Sequence, residues 1–342
     1  MGNTVFRRLS FLIAACEAEE WLPGLISKLL GQDHANEIEV VLASDDGVDL
    51  RTRLPSDPRL VHCPPAFRTG PAAARTRALV AASGSHVVQM DADDDVSDGF
   101  VEAVISALKV TPAVALRTVY VRGGEEVKRF QSPTLELGSL LDFYGSVICA
   151  APRNWIRLYP AAIAEDVVAS IAFLHRAGGR LPVVDADYRV RLHPHSFCAQ
   201  NACSFTSAYR SGVVRAGWLA QEVGCPGIEA ALIRMYRSRI AMSRAFDAFL
   251  LGGGEGDYHD FVQQHQITQS CLLERLGERG AHAPLNHVRL PFFTLAGGLI
   301  IKGSQSAGEE RADQGSNGDA DDNVGLCPVP VLHNEELKAG SE

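Results

Sequence analysis

The chain has 342 residues, a formal net charge of -9 and 46% hydrophobic residues. This length and composition allow one large α/β domain with an appendage. The basic residues are scattered rather than gathered into stripes with aromatic residues, so we expect no nucleic acid partner. The 8 cysteines are irregularly spaced, and the sequence begins without a cationic and then apolar signal. These features predict a reducing, cytoplasmic setting.

Apolar runs typical of buried strands alternate with segments of helical periodicity in the first two thirds of the chain. The predicted strands cover residues 9–15, 38–43, 86–90, 114–121 and 188–193. The predicted helices cover residues 22–30, 97–108 and 165–177, and an alanine-rich segment spans residues 70–82. This alternation predicts an α/β fold with a parallel or mostly parallel sheet over residues 8–205.

The remaining third has a different composition. Residues 206–301 are predicted to form a helical extension, with helical spacing over 216–249 and 258–276 and a break at Gly252-Gly253-Gly254. The apolar run at 290–301 is shorter than the roughly 20 residues that span a bilayer, which leaves a core segment or a shallow membrane contact. Residues 302–342 are predicted to be a disordered acidic tail, because they contain few large apolar residues.

Four acidic residues follow the strand at 86–90 directly: Asp91, Asp93, Asp94 and Asp95. Open α/β sheets bind ligands at the carboxyl ends of their strands. Mg²⁺ and Mn²⁺ take one or two carboxylates and complete their shell with water and phosphate oxygens. An isolated acidic run is often only a solvated loop. Its position after a buried strand favours a site for a cation that arrives with a diphosphate.

Several short motifs occur in a characteristic order: Asp45-Asp46-Gly47, Ala74-Arg75, Ser83-Gly84 and Asp91-Ala92-Asp93-Asp94. Over about residues 8–200, this order resembles the family 2 glycosyltransferases with the GT-A fold. The resemblance implies an inverting, metal-dependent enzyme of the hexosyltransferase type. It would transfer a sugar from a nucleotide-diphospho-sugar, with a UDP-sugar favoured, to an acceptor hydroxyl.

The resemblance also implies roles for residues of the donor site. Asp46 would contact the nucleotide base, while Asp45 shapes the turn. Arg75 and Arg77 would line the nucleotide or phosphate side, although a solvated helix face is almost as good an interpretation of Arg77. Asp93 would be the principal ligand of Mn²⁺ or Mg²⁺, with Asp91 beside it.

Two later segments complete the resemblance. Glu165-Asp166 heads an amphipathic helix and resembles the family segment that supplies the general base, so Asp166 is the predicted base; complementing the helix dipole is the alternative. His193, before Ser196, resembles a histidine that approaches the diphosphate or metal. A zinc site is a separate interpretation, with ligands His193, His195, Cys198 and Cys203. Their spacing fits no common zinc knuckle, and buried structural cysteines explain them better.

Two other functions stay open. The usual Pro-x-Tyr-Asn after the first strand is replaced by Ala14-Ala15-Cys16-Glu17, which allows a non-catalytic, nucleotide-binding partner subunit. A nucleotidyltransferase would share the fold, but it usually needs a glycine-rich loop that is not seen around residues 14–20. The family implies a saccharide or lipid-linked saccharide acceptor and a role in the cell envelope or in exopolysaccharide synthesis. The sequence leaves open a peripheral contact with the inner face of the membrane and a homo-oligomer.

Overall fold

A computed structural model describes residues 5–194, 196 and 205–265. The strands are β1 (Leu9–Ala15), β2 (Ile38–Ser44), β3 (Leu60–His62), β4 (His86–Asp91), β5 (Asp95–Val96), β6 (Val114–Arg122), β7 (Glu125–Arg129), β8 (Thr134–Leu135), β9 (Cys149–Pro152) and β10 (Leu181–Arg191). The helices are α1 (Leu22–Leu30), α2 (Pro71–Ala81), α3 (Phe100–Val110), α4 (Leu137–Phe143), α5 (Glu165–Arg176), α6 (Phe205–Glu222), α7 (Glu229–Leu251) and α8 (Tyr258–His265).

The strands form one sheet in the order β3-β2-β1-β4-β9-β6-β10-β5, with β7 beside β6 and β8 beside β10. Strands β1 to β4 run parallel, as do β6 and β10. Strand β9 lies antiparallel between β4 and β6. The sheet is therefore mixed, whereas the sequence predicted a parallel or mostly parallel one. The antiparallel strands β5, β7, β8 and β9 have only two to five residues each, too few to produce a recognisable pattern.

The first strands are buried on both faces, as expected for strands covered by helices on each side. Their register places Ala15 opposite Ser44 and Ala14 opposite Asp91. The carboxyl ends of β1, β2 and β4 therefore meet at one edge of the sheet. The segments that follow them carry the motifs on which the predicted donor site depends.

The last predicted strand begins earlier than expected. Strand β10 starts at Leu181 rather than at residue 188, and its register with β6 shifts between Val184 and Asp187. Pro182 and the carboxylates of Asp185 and Asp187 interrupt the apolar alternation that identifies a strand. The first half of this strand therefore had no clear signal in the sequence.

The helices form two hydrophobic clusters on either side of the sheet. One contains α1 and α3, and the other joins α2 and α5 to α6 and α7 through residues such as Tyr209 and Tyr236. Helices α6 and α7 thus share a core with the sheet. The helical spacing predicted over 216–249 corresponds to two helices: Gly224, at φ +76°, follows the end of α6, and Pro226 opens a short 3₁₀ turn before α7.

Several predictions concern residues outside the described ranges. They are the part of the second predicted helix beyond residue 265, the apolar run at 290–301 and the acidic tail at 302–342. Among the helices that the structure does describe, none has the length and apolar character needed to cross a bilayer.

Candidate active site

Asp45 fastens the loop that precedes α2. Its carboxylate accepts hydrogen bonds from the amides of Thr69 and Gly70, at 3.1 and 2.8 Å, and from the Thr69 hydroxyl. The side chain is buried. Arg77 reinforces the same turn by donating to the Ser44 carbonyl and the Thr69 hydroxyl, both at 2.7 Å. The guanidinium of Arg77 therefore braces the edge of the sheet rather than lying on a solvated helix face.

Asp46 is half-buried and closes the turn after β2. Its carboxylate accepts hydrogen bonds from the amides of Glu17 and Val48, at 2.8 and 3.0 Å, and from the Ser44 hydroxyl at 2.9 Å. Burial alone would raise the pKa of Asp46, but these hydrogen bonds hold it below its usual value. The group is thus a fixed anion that joins the ends of β1 and β2, and its contact with a nucleotide base remains a prediction.

Arg75, in α2, connects this helix to β4 and α5. Its guanidinium is buried and forms ion pairs with Asp91, at the end of β4, and with Glu165, at the start of α5. Burial raises the pKa of Glu165 to about 7, although Arg75 opposes the shift. The role of Arg75 on the phosphate side stays a prediction. The structure places its guanidinium between the carboxylates of Asp91 and Glu165.

Two of the four acidic side chains in the loop are used by the fold. Asp94 is buried and accepts hydrogen bonds from the Tyr188 hydroxyl and from the Arg191 amide, the latter at 3.1 Å. Burial and the neighbouring Asp91 and Asp93 raise the pKa of Asp94 well above its usual value. Asp95 pairs with Lys28, at 3.1 Å. The Asp94 carboxylate is therefore closed to a ligand, whereas Asp95 is held by Lys28 beside a pocket that Trp21 and His193 also line.

The other two carboxylates of the loop, Asp91 and Asp93, are partly exposed, and the charges of Asp93 and Asp166 act on Asp91; we call the space beside these three carboxylates the cleft. The Asp91 side chain is 48% exposed, yet desolvation of its carboxylate raises its pKa, with Arg75 opposing the shift. One oxygen of Asp93 lies 2.9 Å from Nε2 of His193. The His193 ring lies against Trp21, with 4.7 Å between the ring centroids. The structure therefore brings together Asp93 and His193, which are 100 residues apart in the sequence.

The donor set suits a hard cation that arrives with a ligand. Among the described residues, no group of three or more His, Cys, Asp or Glu side chains is arranged to hold a metal by itself. Two open carboxylates and an imidazole nevertheless fit Mn²⁺ or Mg²⁺ when diphosphate oxygens complete the shell. Of the alternative zinc ligands, only His193 is described; His195, Cys198 and Cys203 lie outside the described residues.

Asp166 begins the first turn of α5 and faces the same cleft. Its negative charge acts on Asp91 and on Glu165. Its carboxylate accepts a hydrogen bond from the Ser146 hydroxyl. The side chain is half-buried, whereas that of Glu165 is buried and paired with Arg75. Of the two adjacent acids, Asp166 is therefore the one that an incoming hydroxyl can reach.

The contacts that Ser146, Trp21 and Tyr188 make in the site were not identified from the sequence. Tyr188 begins a predicted strand, but no local pattern indicates that its hydroxyl contacts Asp94. Ser146 is 20 residues from Asp166, and Tyr188 is 94 residues from Asp94. A lone serine or tyrosine at such a distance carries no local signal that identifies its partner.

The site therefore has acidic loops at the carboxyl ends of parallel strands and an acid, Asp166, at the start of α5. Residues 10–159 match the family described as Glycosyl transferase family 2. The resemblance to this family that the sequence predicted is therefore confirmed over residues 10–159. The match includes Asp46, Arg75, Asp91 and Asp93 but ends before Asp166 and His193. A comparison with curated protein sequences gives no match.

Solved structures of TarS from S. aureus have a similar fold. For TarS 1-349 in complex with UDP-GlcNAc, the TM-score is 0.53 at 16% identity, over 71% of this chain and 75% of that one. For TarS 1-349 in another crystal structure, the TM-score is 0.50 at 18% identity, over 71% and 74% of the two chains. These likenesses confirm the predicted α/β fold of the GT-A type, with a sheet between helices and a helical C-terminal region.

Proposed function

We propose that this glycosyltransferase is an inverting, metal-dependent enzyme of the hexosyltransferase type. It moves a sugar from a nucleotide-diphospho-sugar to an acceptor hydroxyl. The observation that carries this proposal is the division of the acidic loop. Asp94 and Asp95 are used within the fold, whereas Asp91 and Asp93 lie in a cleft that also contains Asp166.

Asp91 and Asp93 would hold Mn²⁺ or Mg²⁺, with His193 oriented beside them by Asp93 and Trp21. When bound, the cation would offset the negative charge that develops on the departing nucleoside diphosphate. Arg75 holds Asp91 in place, because its guanidinium pairs with both Asp91 and Glu165. Asp46 lies at the other end of the same sheet edge, where the nucleotide base would bind.

Asp166 would act as the general base. Its carboxylate takes the proton from the acceptor hydroxyl as that oxygen attacks the anomeric carbon and the bond from this carbon to the diphosphate breaks. A single attack of this kind inverts the configuration at the carbon. The Ser146 hydroxyl donates to one oxygen of Asp166 and orients the carboxylate, while the other oxygen can accept the proton.

A UDP-sugar is the favoured donor, since a solved structure of the similar fold holds UDP-GlcNAc and another holds UDP. A saccharide or a lipid-linked saccharide is the proposed acceptor, in the synthesis of the cell envelope or of an exopolysaccharide. We place this reaction in the cytoplasm, at the inner face of the membrane.

The test is calorimetric titration with UDP, GDP, UDP-GlcNAc and GDP-mannose, in Mn²⁺ and in EDTA. We expect a UDP ligand to bind in Mn²⁺ and to lose at least about tenfold in affinity in EDTA and in Asp93→Ala. Asp185→Asn is the matched control, because that carboxylate is 90% exposed and pairs with Arg117, outside the predicted donor site. It should bind as the wild type does. Equal binding by Asp93→Ala, or binding of no nucleotide by the wild type, would reject the donor site.

Turnover separates this function from the alternatives. We expect release of UDP from the favoured UDP-sugar with a panel of saccharide acceptors, and slow hydrolysis without them. Metal-dependent nucleotide binding with no turnover across the panel would instead favour a non-catalytic partner subunit. Release of pyrophosphate from a nucleoside triphosphate would favour a nucleotidyltransferase.

A further inference from the structure

A short loop at residues 143–146 links the predicted base to the C-terminal half of the chain. The loop follows α4 and leads towards β9. At its end, the Ser146 hydroxyl donates to Asp166, and the Ser146 amide donates to the Tyr120 hydroxyl at 2.9 Å. The position of the Asp166 carboxylate therefore depends on how this loop is held.

The loop fits closely against β6. A Cβ atom added to Gly145 would lie 2.6 Å from the hydroxyl oxygen of Tyr120, so only glycine allows this approach. Tyr144 has a φ of +58°, in the left-handed region that a tyrosine rarely adopts. Such a conformation persists only where the surrounding contacts enforce it.

Two buried cations supply such contacts. The Lys128 amine, on β7, donates to the carbonyls of Phe143 and Tyr144, at 3.1 and 2.9 Å. The Arg239 guanidinium, on α7, donates to the Gly145 carbonyl at 3.2 Å. Three successive carbonyls of the loop are thus bound by two side chains from distant elements.

Both cations lie in an unusual environment. Lys128 is 7% exposed and Arg239 is 8% exposed, and within the described residues neither forms an ion pair with a carboxylate. The Lys128 amine instead lies 4.4 Å from the ring centroid of Tyr120 and 4.7 Å from that of Phe143. Burying a charge without a carboxylate partner is costly. Their hydrogen bonds to the loop are the contacts that offset this cost.

Helix α8 covers the same cluster. Asp257 and Asp260 pair with Arg122 of β6 at the surface, which fixes the start of α8 on the sheet. The ring of His259 lies 4.7 Å from the ring of Tyr120, centroid to centroid. Helices α7 and α8 therefore both contact the cluster around the loop.

We propose that Lys128 and Arg239 are positioning residues for the base: they hold the 143–146 loop so that Ser146 orients the Asp166 carboxylate. This inference rests on the proposed function, in which Asp166 accepts the proton of the acceptor hydroxyl. The helical C-terminal region is then part of the catalytic machinery of the α/β domain. Among the described residues, neither cation donates a hydrogen bond to Asp166. The charges of Arg239 and Asp166 do act on each other, so Ser146→Ala, which changes no charge, isolates the contribution of geometry.

Four variants test this inference in steady-state release of UDP from UDP-GlcNAc with Mn²⁺. Arg239→Met and Lys128→Met remove the donors and keep an apolar side chain, Arg239→Lys keeps one donor, and Ser146→Ala removes only the hydroxyl. We expect kcat to fall about 10- to 100-fold in the two methionine variants and in Ser146→Ala, with KM for UDP-GlcNAc within about twofold. Arg239→Lys should recover part of the loss.

The pH profile gives a readout that a purely structural role would not move. Ser146→Ala removes the hydrogen bond that the Asp166 carboxylate accepts from the Ser146 hydroxyl, so the pH profile of kcat should differ from that of the wild type. Arg176→Met is the matched control. Arg176 donates to the Gly224 carbonyl at 2.6 Å, a similar bond from an arginine to a carbonyl away from the cleft. This variant should lose stability without losing kcat.

The outcomes separate this inference from the proposed function. Full activity of Asp166→Asn, or no release of UDP by the wild type, rejects the proposed base and this inference with it. If Asp166→Asn is inactive but Ser146→Ala, Arg239→Met and Lys128→Met keep wild-type kcat and pH profiles, the base stands and the positioning role is overturned. Circular dichroism identifies any variant that fails to fold, and Ser146→Ala, the smallest change, then decides the question.

Discussion

The two sides of the cleft are held by different kinds of contact. On the donor side, Asp45 and Asp46 bind backbone amides and hydroxyls of adjacent turns. On the base side, Asp166 depends on a loop that is bound by side chains from β7 and α7. Local motifs therefore build the first side, and long-range packing builds the second. A substitution in β7 or α7 should therefore affect Asp166 through the loop between them. A substitution at Asp45 or Asp46 should affect only the turns that these carboxylates bind.

The largest expected effect tests the base side directly. In Asp166→Asn the amide cannot accept the proton, so we expect kcat for sugar transfer to fall about 10²- to 10⁴-fold while the affinity for UDP stays within about twofold. Initial-rate kinetics and calorimetry measure the two quantities. Asp185→Asn is the control, because its side chain is 90% exposed and pairs with Arg117 rather than with a residue of the predicted site. Transfer at the wild-type rate in Asp166→Asn would show that Asp166 is not the base, and the contrast between the two sides of the cleft would no longer hold.

The next effect concerns the residue that joins the two sides. Arg75→Met leaves the buried Glu165 carboxylate without its partner, and we expect the free energy of unfolding to fall by about 3–5 kcal/mol. Urea denaturation at neutral pH measures this loss. Adding Glu165→Gln to Arg75→Met should recover part of it, because a neutral amide replaces the unpaired acid. A loss below about 1 kcal/mol, the range of an exposed ion pair, would contradict the prediction.

A third test uses the pH dependence of stability. Burial lowers the pKa of Lys128 to about 7, with Arg239 adding repulsion and Asp257 opposing it. Between pH 7 and about 10 the unfolded chain therefore binds a proton at this site that the folded chain does not, so stability should rise with pH. Lys128→Met should flatten this rise in urea denaturation measured across the same range. His259 lies in the same cluster, but burial lowers its pKa well below the usual value, so His259 does not contribute to the slope in this pH range. An unchanged slope in Lys128→Met would show that the amine keeps its proton.

The smallest expected effect concerns the hydrogen bonds of Asp45 on the donor side. Asp45→Asn keeps the shape of the side chain but weakens the hydrogen bonds from Thr69 and Gly70, so we expect a loss of about 1–2 kcal/mol in the free energy of unfolding. Asp33→Asn, at an exposed position, should leave stability unchanged. The pH profile of kcat should stay as in the wild type in both variants. A shifted profile in Asp45→Asn would show that the two sides are coupled.

The sequence predicted the parts of the fold that have regular periodicity. The strand over residues 9–15 and the helix over 22–30 have the bounds of β1 and α1. The helix over 165–177 corresponds to α5 within one residue. Short strands such as β9 were missed because four residues show no period, and the first half of β10 was missed because polar residues interrupt it.

The sequence by itself determined the order of the acidic motifs and their placement after buried strands, because both follow from residues that are neighbours in the chain. Only the tertiary structure divided the acidic loop into Asp94 and Asp95, used by the fold, and Asp91 and Asp93, left in the cleft. The bond between Arg239 and Gly145 spans 94 residues, and it too appears only once the chain is folded. Contacts of this kind depend on packing between distant elements, and packing has no signal in the local pattern of residues.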